Sequence, residues 1–205
     1  IIDESPLRRG QKTLSFEFGS KLAVISGDYL LSVALEKLCK IANVEIIKQF
    51  SQTIKNMCVG EVKQNYARFQ KGTLEDYIEK TKNKTAYLFE TAFLTCATAD
   101  TISDYDLKSL SRLGLAIGIA FQIRDDLLNM IETDKSKPTN SDIEAGIYNA
   151  PVIFGSEADN YASGIEKTKG LLNNYIEQAK KELELLPENS YSSALYRCLE
   201  LLNNV

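Results

Sequence analysis

Gly118-Ile119-Ala120-Phe121-Gln122-Ile123-Arg124-Asp125-Asp126-Leu127-Leu128-Asn129 is the stretch that decides how this chain folds. It holds no proline, and its apolar residues recur at the three- and four-residue steps of an α-helix. On such a helix Gly118, Gln122, Asp125, Asp126 and Asn129 share one face, while Leu115, Ile119, Phe121, Ile123, Leu127 and Leu128 flank it. A narrow polar stripe thus runs through a segment otherwise built for burial. Two adjacent buried carboxylates repel each other and lose solvation, so they need a cation or an altered protonation state. Paired carboxylates facing a cleft suit Mg²⁺, which takes oxygen ligands and keeps waters and substrate phosphates in its shell. The same spacing also suits the solvent face of a surface helix.

The helical period continues on both sides. Ile25, Leu30, Leu31, Ala34, Leu35, Leu38 and Ile41 predict a helix from about Leu22 to Ala42, and a second is expected from Val44 to Phe69. Gly72 and Thr73 break it, with Thr73 a candidate N-cap three residues before Asp76. A third helix is expected from Leu74 to Thr98 and a fourth from about Asp104 to Ile131. The fourth carries Gly114 and Gly118 in its interior, at about 1 kcal/mol each against Ala, a cost that points to a close helix or ligand approach. Thr133 to Gly146 reads as a loop, Pro151 starts a short element, residues 162–186 form a Lys/Glu-rich helix, and Ser190 to Leu202 form the last one. The fold class is all-α, in one helical domain over residues 1–205.

The chain has 205 residues with 44% hydrophobic and 25% charged positions, which suits a globular domain. Its net charge of −4 excludes a dedicated nucleic-acid surface. The absence of His removes Ser-His-Asp and Cys-His catalysis and His-held zinc or haem. Cys39, Cys58, Cys96 and Cys198 form no CxxC pair and sit in apolar stretches, so they are expected to be reduced, buried and inert, as in a cytoplasmic protein. No run of about 18 apolar residues offers a transmembrane helix, and no signal peptide opens the chain. It begins Ile1-Ile2-Asp3 without Met, which reads as a piece with residues upstream.

Other polar clusters have phosphate-binding chemistry. Asp3-Glu4-Ser5-Pro6-Leu7-Arg8-Arg9-Gly10 puts tandem arginines beside a turn glycine, where planar guanidinium forks can grip a phosphate. Thr81-Lys82-Asn83-Lys84-Thr85 leads into an apolar helix and offers a lysine point charge with a hydroxyl. Glu61 and Gln64 share a helix face after Gly60, and Lys137-Pro138 and Ser141-Asp142 follow the carboxylate helix. Each cluster on its own equally suits a solvated surface.

Taken in chain order, these elements resemble the trans-isoprenyl diphosphate synthases, in particular the medium- and long-chain polyprenyl diphosphate synthases of quinone side-chain biosynthesis. Ile1-Ile2-Asp3 looks like the tail of the first Asp-rich motif, with Arg8-Arg9-Gly10 at the family's spacing. Ser26-Gly27-Asp28, Gly60-Glu61 with Gln64, Lys84-Thr85-Ala86, Phe121-Gln122 before Asp125-Asp126, and Lys137-Pro138, Asp142, Gly146 and Pro151 complete the series.

The resemblance implies an isoprenoid synthase-like helical bundle around a central cavity, here lacking its N-terminal helices. It implies a Mg²⁺-dependent transferase, with about three ions when diphosphate is bound, that condenses an allylic diphosphate with isopentenyl diphosphate. It implies Asp3, Asp125 and Asp126 as metal ligands and, with Lys84, as the catalytic group. Arg8, Lys84, Thr85, Gln122 and Lys137 would contact the allylic diphosphate and Arg9 that of isopentenyl diphosphate, with Gln64 also on the substrate side. A homodimer is implied, with a heterodimer as the variant. Asn129 stands where the second motif usually ends in Asp, Ser136 replaces a Gly, and Ile147 stands where another diphosphate-binding Lys is usual. Between Phe154 and Tyr161 the chain is several dozen residues shorter than the family pattern. Asn129 and Ile147 favour the alternative function, a non-catalytic partner subunit of a heteromeric synthase. A terpene cyclase shares the ionisation step, but the elements for a second diphosphate speak against it.

Overall fold

The computed structural model describes residues 5–8, 10–99, 106–131, 141–156, 158 and 161–205. The chain divides into two compact units, residues 1–48 and 49–205, with the boundary inside one helix. In the first unit, strands β1 (Leu7–Arg8) and β2 (Gln11–Lys12) pair antiparallel, Arg8 opposite Gln11, and Gly10 takes a φ of +75° in the turn between them. Helix α1 (Leu14–Phe18) starts at Thr13, whose Oγ1 accepts from the Phe16 N–H at 3.3 Å and donates to the Ser5 carbonyl at 2.8 Å. Helix α2 (Ser20–Lys40) follows Gly19 and buries none of its side chains; Leu22, Val24, Ile25, Tyr29 and Leu30 stand exposed. Helix α3 (Val44–Tyr66) crosses the boundary into the second unit.

The second unit is a helical bundle built on α6 (Leu107–Met130). Asp106 caps α6 through its side chain, and Leu113, Ile119, Ile123 and Leu127 are fully buried along one side of it. Burial of each contributes about 2 kcal/mol, which outweighs the helix cost of the two glycines between them. Those glycines are where a neighbouring helix comes closest. A Cβ added at Gly114 would lie 2.6 Å from the Glu90 Cα, and one at Gly118 would lie 2.5 Å from the Ala86 Cα. The close approach expected from the sequence is therefore a helix–helix contact.

Around α6 lie α4 (Leu74–Thr81), α5 (Tyr87–Ala99), α8 (Ala150–Phe154), α9 (Ala162–Leu183) and α10 (Ser190–Leu202). Helix α4 opens on the expected cap: Thr73 Oγ1 accepts from the Asp76 N–H, and the Asp76 carboxylate accepts from the Thr73 N–H at 2.9 Å. Leu172, Ile176, Ala179 and Leu183 form the buried stripe of α9, and Arg112 of α6 grips Glu182 at 2.5 and 3.0 Å.

Three expectations change. The third helix is not one α-helix: residues Lys82–Ala86 form a π-helical turn between α4 and α5. The expected loop contains a one-turn helix, α7 (Ser141–Glu144); residues 132–140 lie outside the described ones. All four cysteines are unpaired as expected but exposed: Cys58, Cys96 and Cys198 take outward positions of their helices, and Cys39 lies on α2, which buries none of its side chains.

Candidate functional site

A π turn widens the helix by one residue and is a recurrent feature of functional positions. Here it is wedged between two glycines. A Cβ at Gly60 of α3 would meet the Asn83 Cβ at 2.9 Å and the Lys84 nitrogen at 3.3 Å, while Gly118 of α6 presses on Ala86 from the other side. Both neighbours approach the turn at backbone distance, and Lys84 and Thr85 project from it.

From Thr85 a chain of hydrogen bonds runs into α6. The Thr85 hydroxyl donates to Gln122 Oε1 at 2.8 Å, and Gln122 Nε2 donates to Asp126 Oδ1 at 3.0 Å. The Tyr77 hydroxyl donates to the other oxygen, Asp126 Oδ2, at 2.6 Å. Lys84 pairs with Glu61 of α3 at 3.1 Å. A second chain starts at Lys80, whose Nζ donates to Asn149 Oδ1 at 2.9 Å; Asn149 donates to Asp142 Oδ2 at 2.8 Å. Phe89, four residues after Thr85, and Phe121, next to Gln122 in the chain, bring their rings to 5.5 Å, and Phe121 keeps 45% of its surface exposed.

The adjacent carboxylates divide. Successive residues on a helix point about 100° apart, so Asp125 faces outward and exposed while Asp126 is only 4% exposed, with both oxygens engaged. The stripe therefore presents one carboxylate to its open side, not the adjacent pair expected of Asp125 and Asp126 as joint ligands. Burial pushes the Asp126 carboxyl up to about 7, against the pull of Tyr77, Gln122 and Lys80. Burial, then the charge of Asp125, raises Asp142. Burial lowers Lys80, opposed first by Asp126.

The Asp126 shift has a consequence for stability. In metal-free protein the native state holds its Asp126 proton up to about pH 7, whereas the unfolded chain releases it near the ordinary value of 3.8. The native state binds more protons between those values, so stability is lost as pH rises through that window. Asp126→Asn should flatten this slope, by on the order of a few kcal/mol. Urea denaturation in EDTA at about pH 5 and 8 checks it; parallel slopes for both proteins would contradict the burial argument.

Of the other expected site residues, Gln64 is buried on α3, and no hydrogen bond ties it to this group among the described residues. Arg8 is exposed on β1 of the first unit. Asp3, Arg9 and Lys137 lie outside the described residues. Tyr77 and Lys80 carry no motif signal in the sequence, although Tyr77, Lys80, Thr81 and Lys84 follow the three- and four-residue steps of one helix face.

Among the described residues no three or more His, Cys, Asp or Glu side chains gather as a ready metal cage. The donors near the open side are the carboxylates of Asp125 and Asp142, with no imidazole or thiolate. Oxygen donors of this kind fit a hard cation that completes its shell with water and phosphate. No helix among the described residues is long and apolar enough to cross a membrane.

The sequence pattern of the polyprenyl synthetase family matches residues 1–189. The chain is 32% identical to solanesyl diphosphate synthase 1 of Arabidopsis thaliana, a chloroplastic protein, over 95% of this chain and 55% of that one. It is 32% identical to a prenyl transferase of Cyanidium caldarium, over 99% of this chain and 72% of the relative. The chain thus spans about half the length of the first relative. Its fold matches that of heptaprenyl diphosphate synthase from Staphylococcus aureus with a TM-score of 0.91 at 24% identity, covering 100% of this chain and 73% of that one.

Proposed function

This chain belongs to the polyprenyl synthetase family, and on that footing we propose that it elongates an allylic diphosphate with isopentenyl diphosphate to give a polyprenyl diphosphate. The observation that carries the reading is convergence. Thr85, Gln122 and Asp126 are far apart in sequence, yet one hydrogen-bond chain joins them near the end of α6, with Lys84 next to Thr85 in the π turn, Asp125 next to Asp126 on α6, and Asp142 held in a second chain through Asn149.

In the proposed reaction the allylic C–O bond breaks with its electron pair leaving on the diphosphate. The isopentenyl double bond attacks the allylic carbon, and a proton is lost. Mg²⁺, held by Asp125 and, by resemblance, Asp3, would neutralise the charge that develops on the leaving diphosphate. Lys84 contributes a point charge to the same oxygens. Thr85 and Gln122 orient the group, and their mutual hydrogen bond keeps both in register with Asp126. Asp126, as an inward residue, supports the ligand set from behind. By resemblance Arg8 and Lys137 contact the allylic diphosphate, Arg9 contacts that of isopentenyl diphosphate, and Gln64 lies on the substrate side. Phe89 and Phe121 offer an apolar wall without a nucleophile beside an allylic cation. Each added isoprene unit buries five carbons, up to about 4 kcal/mol, so an apolar channel retains the growing product.

The test is an assay of the full-length protein alone with labelled isopentenyl diphosphate, farnesyl diphosphate and Mg²⁺. Label should enter a longer apolar product and vanish with EDTA. No incorporation would overturn the reading, and incorporation only after a second subunit is added would assign the partner role instead. We further propose a homodimer, with a heterodimer as the variant, since the exposed apolar side chains of α2 suit burial against other helices. Analytical ultracentrifugation should give twice the monomer mass; a monomer at micromolar concentration contradicts it. A cytoplasmic location is proposed from the unpaired cysteines; the solanesyl relative is chloroplastic, and cell fractionation decides between the compartments.

A further inference from the structure

Residues 141–154 contain Asp142 and Glu144 and neither Lys nor Arg. Among the described residues, the positive charge that acts on Asp142 comes from Lys80 on the last turn of α4 and from Lys84 of the π turn. The Lys80 ammonium makes a hydrogen bond to a neutral group, Asn149, and lies 5.3 Å from the centre of the Tyr77 ring. Asn149 is buried and passes the contact on to Asp142, while Tyr77 is buried and holds Asp126. Lys80 therefore stands behind both inner carboxylates. The charged groups that face it are Asp126 of α6, Asp142 of α7, and Lys84 and Glu61 from the π turn and α3. An ammonium taken out of water against an amide and a ring is costly unless nearby carboxylates compensate it. That cost is met here at one place, behind the side chains that border the proposed diphosphate site.

We propose that Lys80 is a positioning residue: through Asn149 it fixes the Asp142 carboxylate within reach of the Asp125 charge, so that acidic side chains from α6 and α7 are in place before a cation–diphosphate ligand arrives. The ligand's identity rests on the prenyl-transfer reading; the hydrogen-bonded relay stands without it. Lys80→Met keeps the length and apolar bulk of the stem and removes the charge, and Lys80→Arg keeps a cation.

Two measurements on the full chain test the proposal. In hydrogen–deuterium exchange, Lys80→Met should speed exchange over residues 141–149 by about tenfold, the effect of one lost charged hydrogen bond, and leave α9 unchanged. Lys80→Arg should restore most of the protection. Asn149→Ala should match Lys80→Met, and the double variant should add little, because both act in one relay. In calorimetry with inorganic pyrophosphate and Mg²⁺, Lys80→Met should bind roughly tenfold more weakly. Unchanged exchange over 141–149, or fully additive effects of the two substitutions, would overturn the proposal. Should the exchange pattern appear while wild-type protein binds no pyrophosphate with Mg²⁺, Lys80 keeps its positioning role and the prenyl-transfer reading falls.

Discussion

Asp125→Ala should lower turnover on the order of 10²–10³-fold, the scale seen when a charge-stabilising group is removed from a preorganised site. The circular dichroism of the variant should match wild type. Asp125 is exposed, outside the apolar stripe of α6, so its loss opens no cavity and breaks no hydrogen bond among the described residues. Its neighbour is different. Asp126 ties Tyr77 and Gln122 together, so Asp126→Ala would strand the buried Tyr77 hydroxyl and the half-buried Gln122 amide and confuse activity with stability. Asp125 is the cleaner probe because its carboxylate has little structural work to do. Wild-type turnover in Asp125→Ala would remove it from the proposed metal site. A loss of helix content would show that the exposed position matters for folding after all.

Gly118→Ala should destabilise the protein by about 3 kcal/mol, the upper part of the range for overpacking. The added methyl would stand 2.5 Å from the Ala86 Cα, and backbone cannot swing aside as a side chain would. On helix propensity alone the same change would be worth about 1 kcal/mol of stabilisation, so the sign of the result separates the two effects. Because Ala86 ends the π turn, the displacement should also move Thr85 off Gln122 and cut activity at temperatures where the protein remains folded. Urea denaturation and an assay well below the melting temperature measure the two effects. A stabilised variant with full activity would mean that α6 does not press on the π turn.

The helical frame was legible because its signals are local. The apolar steps of α6 and α9, the Thr73–Asp76 cap and the limits of α10 at Ser190 and Leu202 all follow from neighbouring residues. What escaped depends on contacts between distant parts. Nothing within Lys82–Ala86 announces a π turn; Gly60 and Gly118, from two other helices, lack the side chains that would collide with it. The four cysteines lie in apolar stretches, yet composition does not say which side of a helix a residue takes. Asp125 and Asp126 looked equivalent in the sequence, and one helical step put the first outside and the second inside. Lys80 and Tyr77 were hidden by the ordinary look of a Lys/Glu-rich turn, and only the fold places them behind Asp126 and Asn149.

The central claim is that these side chains hold a divalent cation together with a diphosphate. It is tested most directly by crystals grown with Mn²⁺ and inorganic pyrophosphate, with manganese located by its anomalous scattering. Manganese bound to the Asp125 carboxylate, with pyrophosphate oxygens against Lys84, is the predicted result. Pyrophosphate bound without metal, or manganese found only away from Asp125, would contradict the account.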